Sequence, residues 1–347
     1  MSQNPLGPQA VIEALKSVND PELHRDLVSL GMVKDVEVKG GDISLTIQLT
    51  TPACPLKDKI GGDVKDALAK LPGFKSVNIE FGAQVASGLP QSLRTQIPNI
   101  KNIIGVSAGK GGVGKTTVAC NLAVALAKCG AQVGLLDADI HGPNVPIMMG
   151  VEGSPKVTNN KIQPMESHGV KVMSMGFLID PDRPVIWRGP MLHKALTQFF
   201  SDVEWGEIDY LIVDLPPGTG DIQLSLFQIA KPNGVVIVAT PQRVALADVR
   251  KGIAQWRQFG VEILGLIENM TGDVFGSGGG KAAAEELEMP FLGEIPLDTT
   301  LRVGSDKGEP VCASRPNSEI AKTFDRIAGT LAARVSVSAY EKAGAAV

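Results

Sequence analysis

Cysteine is scarce: Cys54, Cys120, Cys129 and Cys312 are the four in 347 residues, and no two form a C-x-x-C pair. That excludes the disulfide framework of a small secreted domain and makes reduced thiols the expectation. Histidine is equally rare, with four residues and no H-x-x-x-H spacing, which argues against a zinc site. Positive charge is not in excess either. Thirty-three Lys and Arg face 37 Asp and Glu for a net charge of −4, so bulk charge supplies no attraction to nucleic acid or an anionic membrane. No uninterrupted apolar run reaches the roughly 18 residues of a membrane span. The first ten residues lack the charged and apolar regions of a signal peptide, and a cytoplasmic protein is the expectation. What the chain does have is 44% hydrophobic residues with 39 Gly and 23 Pro, enough apolar material for one large or two modest cores.

Periodicity divides that material. Residues 1–85 read as a small α+β domain of order α-β-β-α-β. Val11, Ile12, Leu15 and Val18 share a helical face, and Val36 and Val38 alternate with polar residues. After the Lys39–Asp42 turn, Ile43, Leu45, Ile47 and Leu49 do the same, which predicts a hairpin with one buried face. Ile60, Val64, Ala67, Leu68 and Leu71 recur at helical spacing, and Val77, Ile79 and Phe81 alternate again. Periodicity then lapses over residues 86–98, where Gly88, Pro90, Ser92 and Pro98 predict a solvated linker. In residues 99–347, short apolar runs at 103–106, 133–136, 211–213, 235–239 and 263–267 alternate with helix-compatible stretches. This pattern predicts an α/β domain whose mostly parallel sheet is covered by helices on both faces. The tail predicts a closing helix that packs Ile320, Phe324 and Ile327, then an Ala- and Ser-rich loose end without the basic face of a membrane-surface helix.

Between the first apolar run and the helical stretch 117–128 stands Gly109-Lys110-Gly111-Gly112-Val113-Gly114-Lys115-Thr116, a match to G-x-x-x-x-G-K-[ST] in the required strand-to-helix context. The glycines let backbone N–H groups approach phosphates at a helix N-terminus, Lys115 reaches the β- and γ-oxygens, and the Thr116 hydroxyl ligates Mg²⁺. Ligands of open α/β sheets bind outside the carboxyl ends of the strands, so acidic strand ends are the candidates for the remaining roles. Asp214 closes the 210–213 strand and suits Mg²⁺ held through water, while Pro216-Pro217-Gly218-Thr219-Gly220 is a candidate γ-phosphate sensor. Leu135-Leu136-Asp137-Ala138-Asp139 ends another strand, with Asp139 the first candidate to orient the attacking water and Asp137 the second.

Lys110 is a second lysine that a P-loop does not need. Lys110–Thr117 is similar to the deviant Walker A motif of the MinD, ParA and nitrogenase-iron-protein class. The resemblance implies an ATP-sandwich homodimer in which Lys110 reaches the partner's nucleotide and Thr117 joins Gly109 to Thr116 in the binding set. Three further segments, Leu136–Asn144, Asp214–Asp221 and Ile267-Glu268-Asn269-Met270, resemble the Mrp/ApbC iron–sulfur cluster carrier ATPases. Asp20-Pro21-Glu22-Leu23, Ser29-Leu30-Gly31 and Thr50–Leu56 resemble the SufT-like domain that many of them carry. The resemblance implies ATP and Mg²⁺ as cofactors, apo iron–sulfur proteins or assembly factors as partners, Asn269 at the adenine, and the turn containing Pro296 beside it.

The chain departs from that family after Met270, where many members carry a C-x-x-C pair for a [4Fe–4S] cluster and this sequence reads Thr271–Gly280 without cysteine. Ser277–Gly280 predicts a flexible loop in its place. Cys54, in a Pro-bracketed turn ahead of a helix, is the remaining candidate ligand, because a helix N-terminus favours the thiolate. The other three cysteines read as structural. His141 is a candidate phosphate contact or loop cap, and Trp187–Pro190 reads as an ordinary packed tryptophan or a partner-facing loop. Three functions remain open: an ATP-hydrolysing cluster carrier, an ATP-dependent client-binding scaffold without its own cluster, and a MinD/ParA-like positioning ATPase. The acidic composition argues against the third.

Overall fold

The computed structural model describes residues 6–94, 96–97, 99–140, 142–178, 189–218 and 221–344. The chain folds as two compact units that divide between Ala86 and Ser87.

In the first unit, α1 (Pro8–Leu15) opens with proline at a position where the missing N–H costs nothing. Strands β1 (Val33–Lys39) and β2 (Asp42–Leu49) pair antiparallel across Gly40 and Gly41. Both glycines have positive φ, and a Cβ on Gly41 would meet the Gly73 carbonyl at 2.4 Å. Helix α2 (Lys57–Leu68) crosses over to β3 (Ser76–Ala83), which lies parallel to β2. The expected order α-β-β-α-β is the observed one. Ile43, Leu45, Ile47 and Leu49 alternate into a core with Val11, Leu15, Ile60, Val64 and Leu68.

The second unit is built on β4 (Ile100–Ser107), β5 (Val133–Asp137), β8 (Met165–Ser167), β9 (Val170–Ser174), β10 (Ile208–Asp214), β11 (Gly234–Ala239), β12 (Glu262–Thr271) and β13 (Phe291–Pro296). They form one sheet in the order β13-β12-β11-β4-β10-β5-β9-β8, parallel except at the β8 edge. Strands β6 (Val157–Thr158) and β7 (Lys161–Ile162) make a separate small ribbon. The helices are α3 (Gln91–Arg94), α4 (Lys115–Lys128), α5 (Val145–Met148), α6 (Gly189–Ser201), α7 (Asp221–Ala230), α8 (Arg243–Gln258), α9 (Gly279–Glu286), α10 (Thr299–Lys307), α11 (Val311–Ser314) and α12 (Glu319–Gly344). Every residue of β5 and β11 is buried, as a parallel sheet covered on both faces requires. The register sets Asp214 opposite Asp137 on one side and Val106 on the other, so three strand ends meet where β4 runs into α4.

Two expectations change. The segment 86–98 is not a solvated connection through its described residues. Leu89 and Ile97 belong to the core of the second unit, and Arg94 holds the turn by donating to the carbonyls of Leu89 and Ser87, each at 2.8 Å. Single apolar residues spaced irregularly through a Pro- and Gly-containing stretch leave no period to read. The Ala- and Ser-rich tail is not loose through its described residues either, because α12 continues to Gly344. Its Leu331, Ala332, Ala333 and Val335 are buried, Ser336 donates to the Ala332 carbonyl at 3.0 Å, and Ser338 donates to Glu262 at 2.6 Å. Small side chains permit close packing there while the hydroxyls stay hydrogen-bonded.

Phe324 is fully buried in the second turn of that helix. Phe324→Ala is expected to cost about 3–5 kcal/mol of stability in urea denaturation of the full chain. A loss below about 1 kcal/mol would mean that α12 is not part of the cooperative core.

Candidate nucleotide site

The turn from β4 into α4 is held at both ends. At its start, Gly109 packs on the backbone of α8, where a Cβ would come within 2.6 Å of the Asp248 carbonyl carbon. At its end, Gly114 caps α4 with φ +80°, and a Cβ there would lie 2.2 Å from Asn269 Nδ2. That same nitrogen donates to the Val113 carbonyl at 2.8 Å. These contacts leave the loop's own N–H groups to a ligand, and the α4 N-terminus adds the positive end of its dipole.

Lys115, 7% exposed, donates from Nζ to Asp214 Oδ1 at 2.6 Å and lies 3.8 Å from Asp139 Oδ2. Thr116 donates from Oγ1 to Asp214 Oδ2 at 2.7 Å. Burial holds Asp214 above the usual carboxylate range, opposed by the Lys115 ammonium and the Thr116 hydroxyl. Asp137 is pushed up to about 7, first by burial and then by the neighbouring Asp214 carboxylate. It accepts from Ser174 Oγ at 2.9 Å, from the Asp139 N–H at 3.1 Å and from the Val145 N–H at 3.2 Å. Asp137 thus holds the loop that presents Asp139 and leaves Asp139 nearer the lysine.

The structure therefore brings together Lys115, Thr116, Asp214, Asp139 and Asp137, with Asn269 as a brace. Lys110 is half-buried in the loop and makes no ion pair among the described residues. Pro296 ends β13 opposite Thr271, whose carbonyl accepts from Leu297 at 2.9 Å, so the Pro296 turn lies on the strand next to Asn269. His141, Trp187, Arg188, Thr219 and Gly220 lie outside the described residues.

The roles of three buried side chains escaped the sequence reading. Ser174 ends β9 beside Asp137 and was open to the strand-end rule used for the aspartates. Gln223 donates to the carbonyls of Pro216 and Gly218, while the Gly218 N–H donates to Ala108 at 2.9 Å; nothing in the sequence marks this hook. Glu268 accepts from the N–H groups of Gly278 at 3.1 Å and Gly280 at 3.0 Å. Gly272 and Gly276 exchange backbone hydrogen bonds at 2.9 and 2.7 Å. The segment expected as a flexible loop is therefore pinned, and α9 starts at Gly279 within it.

Cys54 also departs from expectation. It is half-buried, and burial pushes its thiol up to about 11, outweighing the backbone N–H groups of Leu56 and Lys57. Among the described residues no group of three or more His, Cys, Asp or Glu is placed to hold a metal ion. Within the described residues, then, Cys54 stands without a ready-made set of cluster ligands. Thr116 and Asp214 offer adjacent hard oxygens, which do fit Mg²⁺ with its remaining positions filled by phosphate and water.

A parallel sheet with this loop, lysine, hydroxyl and strand-end aspartate defines a P-loop NTPase. Residues 99–332 match the family of NUBPL iron-transfer P-loop NTPases, and the chain belongs to that family. Residues 8–81 match the iron-sulfur cluster assembly protein family. An iron-sulfur cluster carrier protein of Synechocystis is 49% identical over 95% of this chain and 98% of its own. Among solved structures, a nucleotide-binding protein of Archaeoglobus fulgidus in complex with ADP is 40% identical, with a TM-score of 0.55 over 62% of this chain and 90% of that one. The cell division ATPase MinD of Pyrococcus furiosus is 27% identical, with a TM-score of 0.54 over 66% and 97%. The resemblance read from the motifs is thereby borne out at the level of the family.

Gly114→Ala is expected to weaken nucleotide binding at least tenfold in a fluorescent-nucleotide titration, because it strains φ and pushes Asn269 off Val113. Near-normal affinity would show that the brace is dispensable. A raised pKa removes thiolate at every pH below it. Cys54 alkylation by iodoacetamide, followed by peptide mass spectrometry, should therefore climb tenfold per pH unit toward pH 11 rather than level off near the ordinary value of about 8.5. A plateau by pH 9 would contradict the burial argument.

Proposed function

We propose that the chain is an ATP-hydrolysing, cytoplasmic homodimer that carries iron–sulfur clusters to apoproteins or assembly factors. The observation that supports this best is the convergence of Lys115, Thr116, Asp214 and Asp139 in a chain whose two parts match iron-transfer and iron–sulfur assembly families. No helix among the described residues is long and apolar enough to cross a membrane. The Synechocystis relative is named a cluster carrier, and the comparable length of the two chains favours the same role here. On this reading, residues 1–85 handle the client or cluster and residues 99–347 bind and hydrolyse ATP.

In this mechanism, backbone N–H groups of Gly109 to Thr117 cradle the phosphates and Lys115 exchanges its Asp214 contact for β- and γ-oxygens. The Thr116 hydroxyl and, through water, Asp214 would hold Mg²⁺, which would supply charge neutralisation at the transferring phosphoryl group. Asp139 orients the attacking water, and Asp137 holds the Asp139 backbone in place. Lys110 adds positive charge at the partner's nucleotide, Asn269 offers its carbonyl oxygen to the adenine while its amide braces Val113, and the Pro296 turn encloses the base. Cys54 is the candidate cluster ligand, with further thiolates supplied by the second copy or the client.

A second reading, an ATP-dependent scaffold that binds clients without a cluster of its own, is favoured by the missing C-x-x-C pair and by the raised Cys54 pKa. Anaerobic reconstitution with iron and sulfide, comparing wild type with Cys54→Ala, separates the two. Stoichiometric iron and acid-labile sulfide in wild type, lost in the variant, supports the carrier; no specific cluster in either protein overturns it in favour of the scaffold. Lys115→Ala is expected to lower ATP turnover by about a hundredfold or more. Near-normal turnover of that variant would remove the site assignment. Lys110→Ala should abolish ATP-dependent dimerisation in sedimentation velocity with an unchanged melting temperature, and an unchanged profile would refute the partner-directed lysine.

A further inference from the structure

Helices α8 and α9 lie on either side of β12 in sequence and pack against one another, but not along their whole length. At their N-terminal ends they approach closely, since a Cβ on Gly279 would come within 2.2 Å of the Pro241 carbonyl oxygen. From Pro241 and Gly279 onward, small residues on the facing sides leave a cleft of 480 Å³. Leu246, Ala247, Ala282 and Ala283 give it an apolar lining, with Arg243 and Arg250 on the α8 side and Glu286 on the α9 side. Arg250 and Glu286 satisfy each other across it. Arg243 is exposed and has no ion pair among the described residues, so one positive charge at the cleft is uncompensated. Val244, the next residue of α8 after Arg243, is 73% exposed.

We propose that this cleft docks a segment of a partner protein in which an apolar side chain is flanked by a carboxylate. The volume suits a few side chains rather than a whole domain face. The alanine-lined walls accept an aliphatic group, and the Arg243 guanidinium matches a carboxylate in charge and in its paired donors. Among the described residues no aspartate or glutamate pairs with Arg243, which distinguishes this end from the Arg250–Glu286 end and sets the polarity of the bound segment. An occupant would also touch the helix that supports the nucleotide loop, because Gly109 rests on the backbone of Asp248 and Val249 in α8. The proposal goes beyond the carrier reading and does not depend on it.

The test uses the full chain and a short fluorescein-labelled peptide that alternates leucine with glutamate, with a leucine–lysine peptide of equal length as its counterpart. Fluorescence anisotropy is expected to show saturable binding of the glutamate peptide alone. Arg243→Glu, which reverses the charge, and Ala282→Trp, which fills the cleft, should each weaken it at least tenfold while ATP turnover and melting temperature stay unchanged. Hydrogen exchange should slow in α8 and α9 when the peptide binds. Absence of saturable binding, equal binding of the lysine peptide, or affinity unchanged in both variants overturns the proposal. So does a self-association that Ala282→Trp abolishes without any peptide binding, which would identify a second copy as the occupant.

Discussion

The contact on which the site turns is the buried pair of Lys115 and Asp214, 2.6 Å apart, with the aspartate fully buried. Removing two charges from water is costly, and the pair persists only because geometry and further hydrogen bonds compensate. Thr116 supplies one such bond to the second carboxylate oxygen, and Asp139 lies within 3.8 Å of the ammonium. The arrangement leaves the lysine poised between a protein carboxylate and the phosphates of a ligand. Adjacent parallel strands give that poise its precision, since β4, β10 and β5 end in register and their last residues need no long loop to meet.

Around this pair the neighbouring turns are fixed rather than loose. Glu268 and Asn269 are successive residues of β12, and the alternation of a strand sends them to opposite sides. Asn269 reaches the P-loop carbonyl, while Glu268 takes two N–H groups at the start of α9. One strand end therefore fixes both the nucleotide loop and the segment that stands in place of a cysteine pair. Gln223 does the same for the turn after Asp214, where it bonds two carbonyls of the Pro216–Gly218 stretch. These amides and carboxylates spend their hydrogen-bonding capacity on backbone groups that would otherwise be unsatisfied in a crowded region.

The small domain shows the opposite balance for Cys54. A helix start nearby favours a thiolate, but burial and the carboxylates of Glu22 and Asp20 outweigh it, and the thiol stays protonated at neutral pH. A sulfur in that state is a poor ligand until a metal or a partner changes its surroundings. Cluster carriage, on the proposed function, thus draws on a change in environment at Cys54 and on donors beyond a single chain.

Much of this was legible in the residues alone. The period-two pattern of Ile43 to Leu49, the apolar runs of the large sheet, and the spacing of Gly109 to Thr116 fix local geometry through short-range sterics and burial, so strand, turn and phosphate loop followed from the sequence. The aspartates at 137, 139 and 214 were readable because a carboxylate closing an apolar strand has few places to go. The helical end of α12, the burial of Leu89 and Ile97, the pinned Gly272–Gly280 segment and the raised pKa of Cys54 were not readable. The Gly272–Gly280 segment is held by neighbours within about a dozen residues and the others by groups farther off, and neither periodicity nor spacing encodes which surface will cover a small residue or which carbonyl will meet an amide. Short-range sterics and spacing thus set the elements and the chemistry of the loop, whereas the side chains that brace it and the shielding of the Cys54 thiol follow from the fold, because desolvation and hydrogen-bond partnership are properties of the packed neighbourhood.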